Sequence, residues 1–555
     1  MPPSGVESAV AAIRAGTMVR HPGTTVQPAR FALILDSAVD PVDGAAAIAA
    51  DLAALGAQVR PLSTLDPQVL VVEIPDRTFS DDQAAAFAAA YALEEAFGLE
   101  AAEPDLPTRL FPEPEPGPPD GTPLPESADF PFGCQAPRED ALDQRPLWAL
   151  DAMRVQQAWA FSEVRQRPDR GAGVIVAQPD TGITMHVELD GISHAPGFDV
   201  LDNDPDPTDP LVAGFGDNPG HGTGTASVVV SLPPGRVTGT APRAQHMAIR
   251  AIESVIRITQ VTVASAIDWA VEHGAQVITM SLGGIPSFSL NRALRRAVQA
   301  DVIVLAAAGN CVGTVVWPAR YDECIAVAGV DVRDARWRGS SHGSAVDISA
   351  PAENVFRATV PTGVDQGQGT SFAVALTAGV AALWLAHHGR ANLIAAARVR
   401  GETVQVMFNR LLRASARRPA GWDSFEMGAG IVDAQALLAA DFDLGRDRET
   451  VELPADPREA AAATVESLVA ELLGHDATVE QPVDWYRYGP ELAAVLLRQR
   501  LDTPPADGGP QPESPLQIPE VSRRLARAVV NPRLRAGLGL SPEIETDADR
   551  IGGAP

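Results

Sequence analysis

An α/β protein with a mostly parallel sheet, covered by helices on both faces, is the fold that this sequence predicts. Between about residues 148 and 440, short apolar runs at 173–178, 245–252, 276–280, 302–306 and 324–330 alternate with helical stretches such as 261–273 and 290–299. Strands separated by helices build parallel sheets whose faces the helices cover. Three short segments, Asp180-Thr181-Gly182, His221-Gly222-Thr223 and Gly369-Thr370-Ser371, stand at the boundaries of these elements. In parallel sheets, ligands collect at the carboxyl ends of the strands.

Before this region the chain divides into three parts. Residues 1–29 read as an N-terminal tail, with isolated Arg14 and Arg20 and no apolar core of a secretory signal. Residues 30–100 read as a small βαββα module. Its strands are 30–37 and 68–74, a helix over 45–55 ends at Gly56, and Ser80 with Gln83 makes a capping box for a helix over 81–97. Residues 101–147 are dense in Pro and acidic residues. They favour extended polyproline conformations and read as a linker and a candidate processing region.

The α/β region is expected to run over 148–440, and a helical extension over 441–555 follows it. In the extension, amphipathic stretches at 460–473, 490–501 and 519–530 are split by a Pro/Gly segment at 503–515. The extension carries no legible chemistry of its own.

Composition narrows the function. A chain of 555 residues suggests two to four units. Its hydrophobic fraction of 45% and charged fraction of 21% suit a globular protein, and no apolar run is read as reaching the roughly 18 residues of a membrane span. A net charge of −28 argues against nucleic acid or an anionic membrane as partner. Cys134, Cys311 and Cys324 form no disulfide framework and no zinc spacing. Cys311 and Cys324 are near enough in sequence to pair, but free buried thiols are the expectation for a cytoplasmic protein.

An acid, an imidazole and a hydroxyl are the parts of a nucleophilic relay. Asp180 closes a predicted strand, where a carboxylate is held rigidly while facing a crevice. His221 opens a small-residue run between glycines. Ser371 precedes the apolar run 374–385, at a helix start where free backbone N–H groups and the helix dipole favour developing negative charge. Asn310 follows Gly309 at another strand end, and its amide suits an oxyanion donor acting with the Ser371 N–H. Singly, each of these is an ordinary turn or capping residue.

Together, in the order acid, imidazole, hydroxyl, these segments resemble the subtilisin-like serine peptidases, the subtilase or S8 family. The likeness covers about 148–438 and includes Trp148-Ala149-Leu150, Gly239-Thr240-Ala241-Pro242, Ser281-Leu282-Gly283-Gly284, Trp317-Pro318-Ala319 and the run 428–434. Asp180 and His221 lie 41 residues apart, and His221 and Ser371 lie 150 apart, as in a compact member.

The resemblance implies a three-layer α/β/α sandwich with a mostly parallel central sheet. It implies Asp180, His221 and Ser371 as triad and Asn310 as oxyanion donor. Ser281, Leu282 and Gly283 would pair with an extended peptide, and Ala307, Ala308 and Gly309 would form the other wall of the specificity pocket. It further implies an N-terminal module acting as an inhibitory propeptide, the alternative being a permanent regulatory or docking domain. The implied protein is a zymogen of bacterial type, with a peptide or protein substrate and no cofactor needed for the chemistry.

Structural calcium is common in the family. Glu188 sits where one ligand would fall, but no loop has calcium spacing, so no metal is assigned. The acidic run 202–209 reads as a solvated loop. After Ser371 the family's Ser-Met-Ala-x-Pro pattern becomes Ser371-Phe372-Ala373-Val374-Ala375, which places the missing proline in the first helical turn. Val316 is read as narrowing the pocket. Two other functions are open: a pseudoprotease that binds peptides without cutting, and an adaptor using the terminal extensions, with a protein partner for the C-terminal one.

Overall fold

The computed structural model describes residues 5–20, 27–106, 145–211, 218–253, 255, 259–446, 456–479, 483–502 and 520–541. Six strands form the body of its large sheet. Their spatial order is Ile348–Pro351, Ile325–Val330, Ile303–Ala307, Val277–Met280, Ile175–Asp180 and Gln245–Arg250, and two short strands, Ser193–His194 and Phe198–Asp199, pair with the last. All these pairings are parallel.

Alternate residues of a strand face opposite sides. Ile303 and Leu305 join the core under helices His221–Val230 and Thr370–His388. Val304 and Ala306 join the core under helices Gln260–Glu272 and Phe288–Gln299. The result is the three-layer α/β/α sandwich. From Ile175–Asp180 the chain goes to Gln245–Arg250 on one side and then to Val277–Met280 on the other. This reversal opens a crevice at the carboxyl end of the strand, where Asp180 lies.

Helix Thr370–His388 corrects one sequence reading. By length and composition alone it would cross a membrane, yet the apolar window is wholly buried. A helix apolar all round belongs in a protein core or a bilayer. Here it lies against five strands of the large sheet, from Ile348–Pro351 across to Ile175–Asp180.

The N-terminal module is a four-stranded antiparallel sheet in the order Gln58–Pro61, Val69–Ile74, Ala29–Ile34, Ala101–Pro104. It is larger at both ends than its sequence suggests. Helix Gly5–Gly16, inside the expected tail, packs on helix Gln83–Phe97. Strand Ala101–Pro104, inside the expected linker, pairs with Ala29–Ile34. A short Ala-Ala-Glu-Pro strand carries no strong pattern, which is why composition assigned it to the linker. The rest of the Pro-rich segment, 107–144, lies outside the described residues. Phe31, Leu33, Leu70 and Val72 face the module's own helices, whereas Ala32, Ile34, Val69 and Val71 join the core shared with the catalytic region.

The C-terminal extension contains helices Pro457–Leu473, Gly489–Asp502, Arg523–Ala528 and Pro532–Gly537, the first and last two capped by Asp456, Ser522 and Asn531. The expected single stretch over 519–530 is shorter, and a further helix follows it. Asn531 is held extended before Pro532, as a residue preceding proline prefers. Val465, Leu468, Leu492 and Leu525 enter the same core as Phe87 and Tyr91 of the module and Leu290 of the catalytic region.

Cys324 is a free buried thiol, but Cys311 is disulfide-bonded. The expectation of free thiols therefore fails at Cys311, and Cys311 and Cys324 do not pair with each other. Cys134 lies outside the described residues.

At the junction of module and extension, Glu491 is 1% exposed. It accepts from Tyr91 Oη (2.9 Å), Ser522 N (2.5 Å) and Ser522 Oγ (2.9 Å). Burial pushes its carboxyl up to about 7, against the opposing pull of these hydrogen bonds. The folded state thus holds this proton more tightly than the unfolded chain. Its contribution to stability is fully present below about 4.5 and is lost as pH rises through about 7. In thermal melts, the parent should lose more stability between pH 5 and pH 8 than Glu491→Gln, which stays neutral. Equal losses in the two proteins would contradict this.

Candidate active site

Asp180, the last residue of its strand, is 1% exposed. Its Oδ1 accepts from His221 Nδ1 at 2.8 Å and from Thr181 N at 2.7 Å. Its Oδ2 accepts more weakly from Thr225 Oγ1 (3.3 Å) and Gln178 Nε2 (3.4 Å). With Nδ1 donating to the carboxylate, Nε2 of the neutral imidazole carries the lone pair. His221 opens helix His221–Val230 after Gly220, whose φ of 75° is left-handed. Gly222 permits the close approach: a Cβ there would lie 2.1 Å from the Gly182 carbonyl oxygen and 3.3 Å from Asp180 Cβ.

Ser371 is the second residue of helix Thr370–His388 and is 6% exposed. Its backbone carbonyl accepts from Ser281 Oγ at 3.0 Å. Asn310 is locked to the same helix start, since its Oδ1 accepts from both Thr370 N and Thr370 Oγ1 at 2.9 Å. A backbone N–H can only donate, so the amide oxygen must face Thr370 and Nδ2 must face away. Nδ2 lies 3.6 Å from where a Cβ on Gly369 would stand. The position where the family carries proline, Ala375, is sixth in this helix, so it lies beyond the first turn where the sequence reading placed it.

Ser281-Leu282-Gly283 and Ala307-Ala308-Gly309 leave the ends of adjacent parallel strands, paired at Met280 and Ala306. The segment 315–317 closes the space between them. Val316 N donates to Ala308 O (3.0 Å), and Gly284 N donates to Trp317 O (2.6 Å). Val316 Cγ2 lies 2.5 Å from a Cβ built on Gly283 and 3.0 Å from one on Gly309. One valine methyl thus touches both walls.

Asp209, Gln178 and His246 were not singled out from sequence. Asp209, in the run read as a solvated loop, is 5% exposed. Its Oδ2 accepts from Thr181 Oγ1 (2.7 Å) and Gly220 N (2.8 Å), tying the Asp180 turn to the His221 turn. An Asp among prolines and acids gives no local sign of this. Gln178 donates to Thr225 Oγ1 (2.6 Å) and Gly222 O (3.0 Å), and its Oε1 faces His246 Nε2 at 2.9 Å. Burial, with His194 nearby, holds His246 down to about 3, so it is neutral and donates through Nε2. A Gln within an apolar strand, two residues before the acid, was the available signal. Glu188, considered for calcium, accepts from Val237 N at 2.9 Å. Among the described residues no cluster of His, Cys, Asp and Glu suits a metal ion.

Comparison with known proteins agrees with this architecture. The profile of the Subtilase family matches residues 171–430. Thermitase of Thermoactinomyces vulgaris is 36% identical over 245 residues, 43% of this chain and 81% of that protein. A thermostable alkaline protease of Halalkalibacterium halodurans is 34% identical over 248 residues, 44% of this chain and 64% of that protein. Among solved structures, fervidolysin from Fervidobacterium pennivorans matches with a TM-score of 0.53 at 21% identity, over 77% of this chain and 64% of that one, a likeness of fold. The chain belongs to the subtilase family and is a subtilisin-like serine endopeptidase.

Proposed function

We propose that Asp180, His221 and Ser371 are its catalytic triad, with Asn310 as oxyanion donor. The observation that carries this is the 2.8 Å bond from His221 Nδ1 to Asp180 Oδ1, which places the imidazole proton on Nδ1 and the basic lone pair on Nε2. Ser371 Oγ attacks the scissile carbonyl as His221 Nε2 takes its proton. The Asp180 carboxylate stabilises the imidazolium, which then gives the proton to the leaving amine. Asn310 Nδ2 and the Ser371 N–H stabilise the oxyanion, and water releases the acyl group by the reverse steps. A fluorophosphonate should label the active protein on Ser371, located by peptide mapping. Hydrolysis of a peptide library by protein that resists labelling would overturn the assignment.

The substrate reading follows the two walls. An extended peptide pairs with Ser281–Gly283 by strand addition, and Val316 limits the residue before the scissile bond to a small side chain. Val316→Gly should raise kcat/KM for a substrate with Phe at that position, relative to Ala, by about tenfold or more. An unchanged ratio would remove Val316 from the pocket.

The N-terminal module is the intramolecular inhibitor in this reading. Its support is that the docking site is continuous with the substrate wall: four residues beyond Gly283, Ser287 donates to Glu103 of the module at 2.8 Å.

A further inference from the structure

Helix Gln83–Phe97 of the module turns one face to the C-terminal extension rather than to the catalytic region. Tyr91, 2% exposed, donates to Glu491 and stacks edge-on against Tyr488 with ring centroids 5.4 Å apart. Its backbone carbonyl accepts from Arg524 Nη1 at 3.1 Å. Around it the charges are sorted by body. The module contributes Glu94, Glu95 and Glu100, and the extension contributes Arg487, Arg524 and Arg458. The pairs Arg487–Glu94 and Arg458–Glu100 are both 2.9 Å, and Arg524 pairs with Glu95. In a chain of net charge −28, three arginines set against three glutamates make a complementary interface.

The same extension grips the catalytic region beside the pocket. Arg320, 4% exposed, donates to Thr464 O (3.1 Å), Ser467 Oγ (3.2 Å) and Glu471 Oε2 (2.8 Å). Trp317 Nε1 donates to Thr464 Oγ1 at 3.2 Å, and Phe288 and Tyr486 are in ring contact at 4.6 Å.

We propose that the C-terminal extension is a clasp whose partner is the N-terminal module, so that cutting the linker alone does not release the module. Two bodies hold the module: the catalytic helices through Glu103 and Asp105, and the extension through Tyr91 and the three glutamates. Because the extension stays joined to the catalytic region, its contacts act at a high effective concentration after the linker is cut. The consequence for activity, though not for retention, rests on the inhibitory reading of the module.

The test uses the full chain with Ser371→Ala and a site-specific protease sequence inserted within 107–144. After cleavage, retention of the module is followed by size exclusion, and its loss rate by dilution of labelled module. The parent should retain the module. Arg487→Glu with Arg524→Glu should speed its loss about tenfold or more, and adding Glu94→Arg with Glu95→Arg should restore retention. An unchanged loss rate in the double variant overturns the clasp. So does faster loss that the charge swap fails to repair, because that marks general loosening. The same cut in the chain with Ser371 intact separates the two ideas: faster loss of module without a gain in peptide hydrolysis leaves the clasp standing and removes the inhibitory reading.

Discussion

Ser371→Ala is expected to lower kcat by about 10⁶, the scale on which nucleophile removal acts in a Ser-His-Asp relay. Fluorophosphonate labelling should vanish with it. The variant should still bind peptide, because Ser281–Gly283 and the Ala307–Gly309 wall are untouched and the hydroxyl contributes little to ground-state binding. A residual rate of about 10³–10⁴ over water is expected from the oxyanion hole and substrate binding alone. The variant should keep its fold: Ser371 Oγ caps nothing, whereas its backbone carbonyl, unchanged in Ala, still accepts from Ser281 Oγ. Steady-state kinetics with a peptide substrate and a thermal melt together check this. Activity within tenfold of the parent would place the nucleophile elsewhere.

The second large effect is expected at Glu103. Its carboxylate is fully enclosed and accepts from Ser287 Oγ (2.8 Å), Phe288 N (2.8 Å), Ser289 N (3.1 Å) and Ser289 Oγ (2.8 Å). It therefore caps helix Phe288–Gln299 from another unit, where the helix dipole favours an anion. Asp105 does the same for helix Gln260–Glu272 through Val261 N (3.0 Å), while pairing with Arg30 at 3.1 Å. Burial pushes both carboxyls up, and the hydrogen bonds oppose the shift.

Removing one side of a buried, hydrogen-bonded charge contact costs about 2–5 kcal/mol, largely by stranding its partners. Glu103→Ala should therefore speed loss of the module from linker-cut protein by about 10²–10³. Glu103→Gln, which keeps one acceptor oxygen, should fall between parent and Ala. If the three proteins lose the module equally fast, the catalytic helices are not the main docking site.

Most of the sheet, and the three residues proposed as the triad, were legible in the sequence because both depend on local pattern. An apolar run such as 302–306 forms a strand in any context that covers both faces, and Asp180, His221 and Ser371 stand at turns marked by glycine. The module's helix Gly5–Gly16 and strand Ala101–Pro104 were not legible. The first buries only Ala9, Ile13 and Gly16, so few large apolar residues mark it, and the second becomes a strand only by pairing with Ala29–Ile34. Asp209 shows the same limit within the site. Read locally it is one acid in a loop, and only folding brings Thr181 and Gly220 to its carboxylate.

By itself, then, the sequence determined the family and the elements that carry the residues proposed for its chemistry, because backbone propensity and side-chain chemistry are local properties. Only the tertiary structure decided how those residues are held and what surrounds them. It set the tautomer of His221 through Asp180, turned Asn310 Nδ2 away from Thr370, and put a Val316 methyl between two glycine walls. It also carried the C-terminal extension, whose own residues hold no catalytic motif, onto the module and the pocket segment at once. Those outcomes depend on contacts between residues far apart in the chain, set by which apolar faces bury one another.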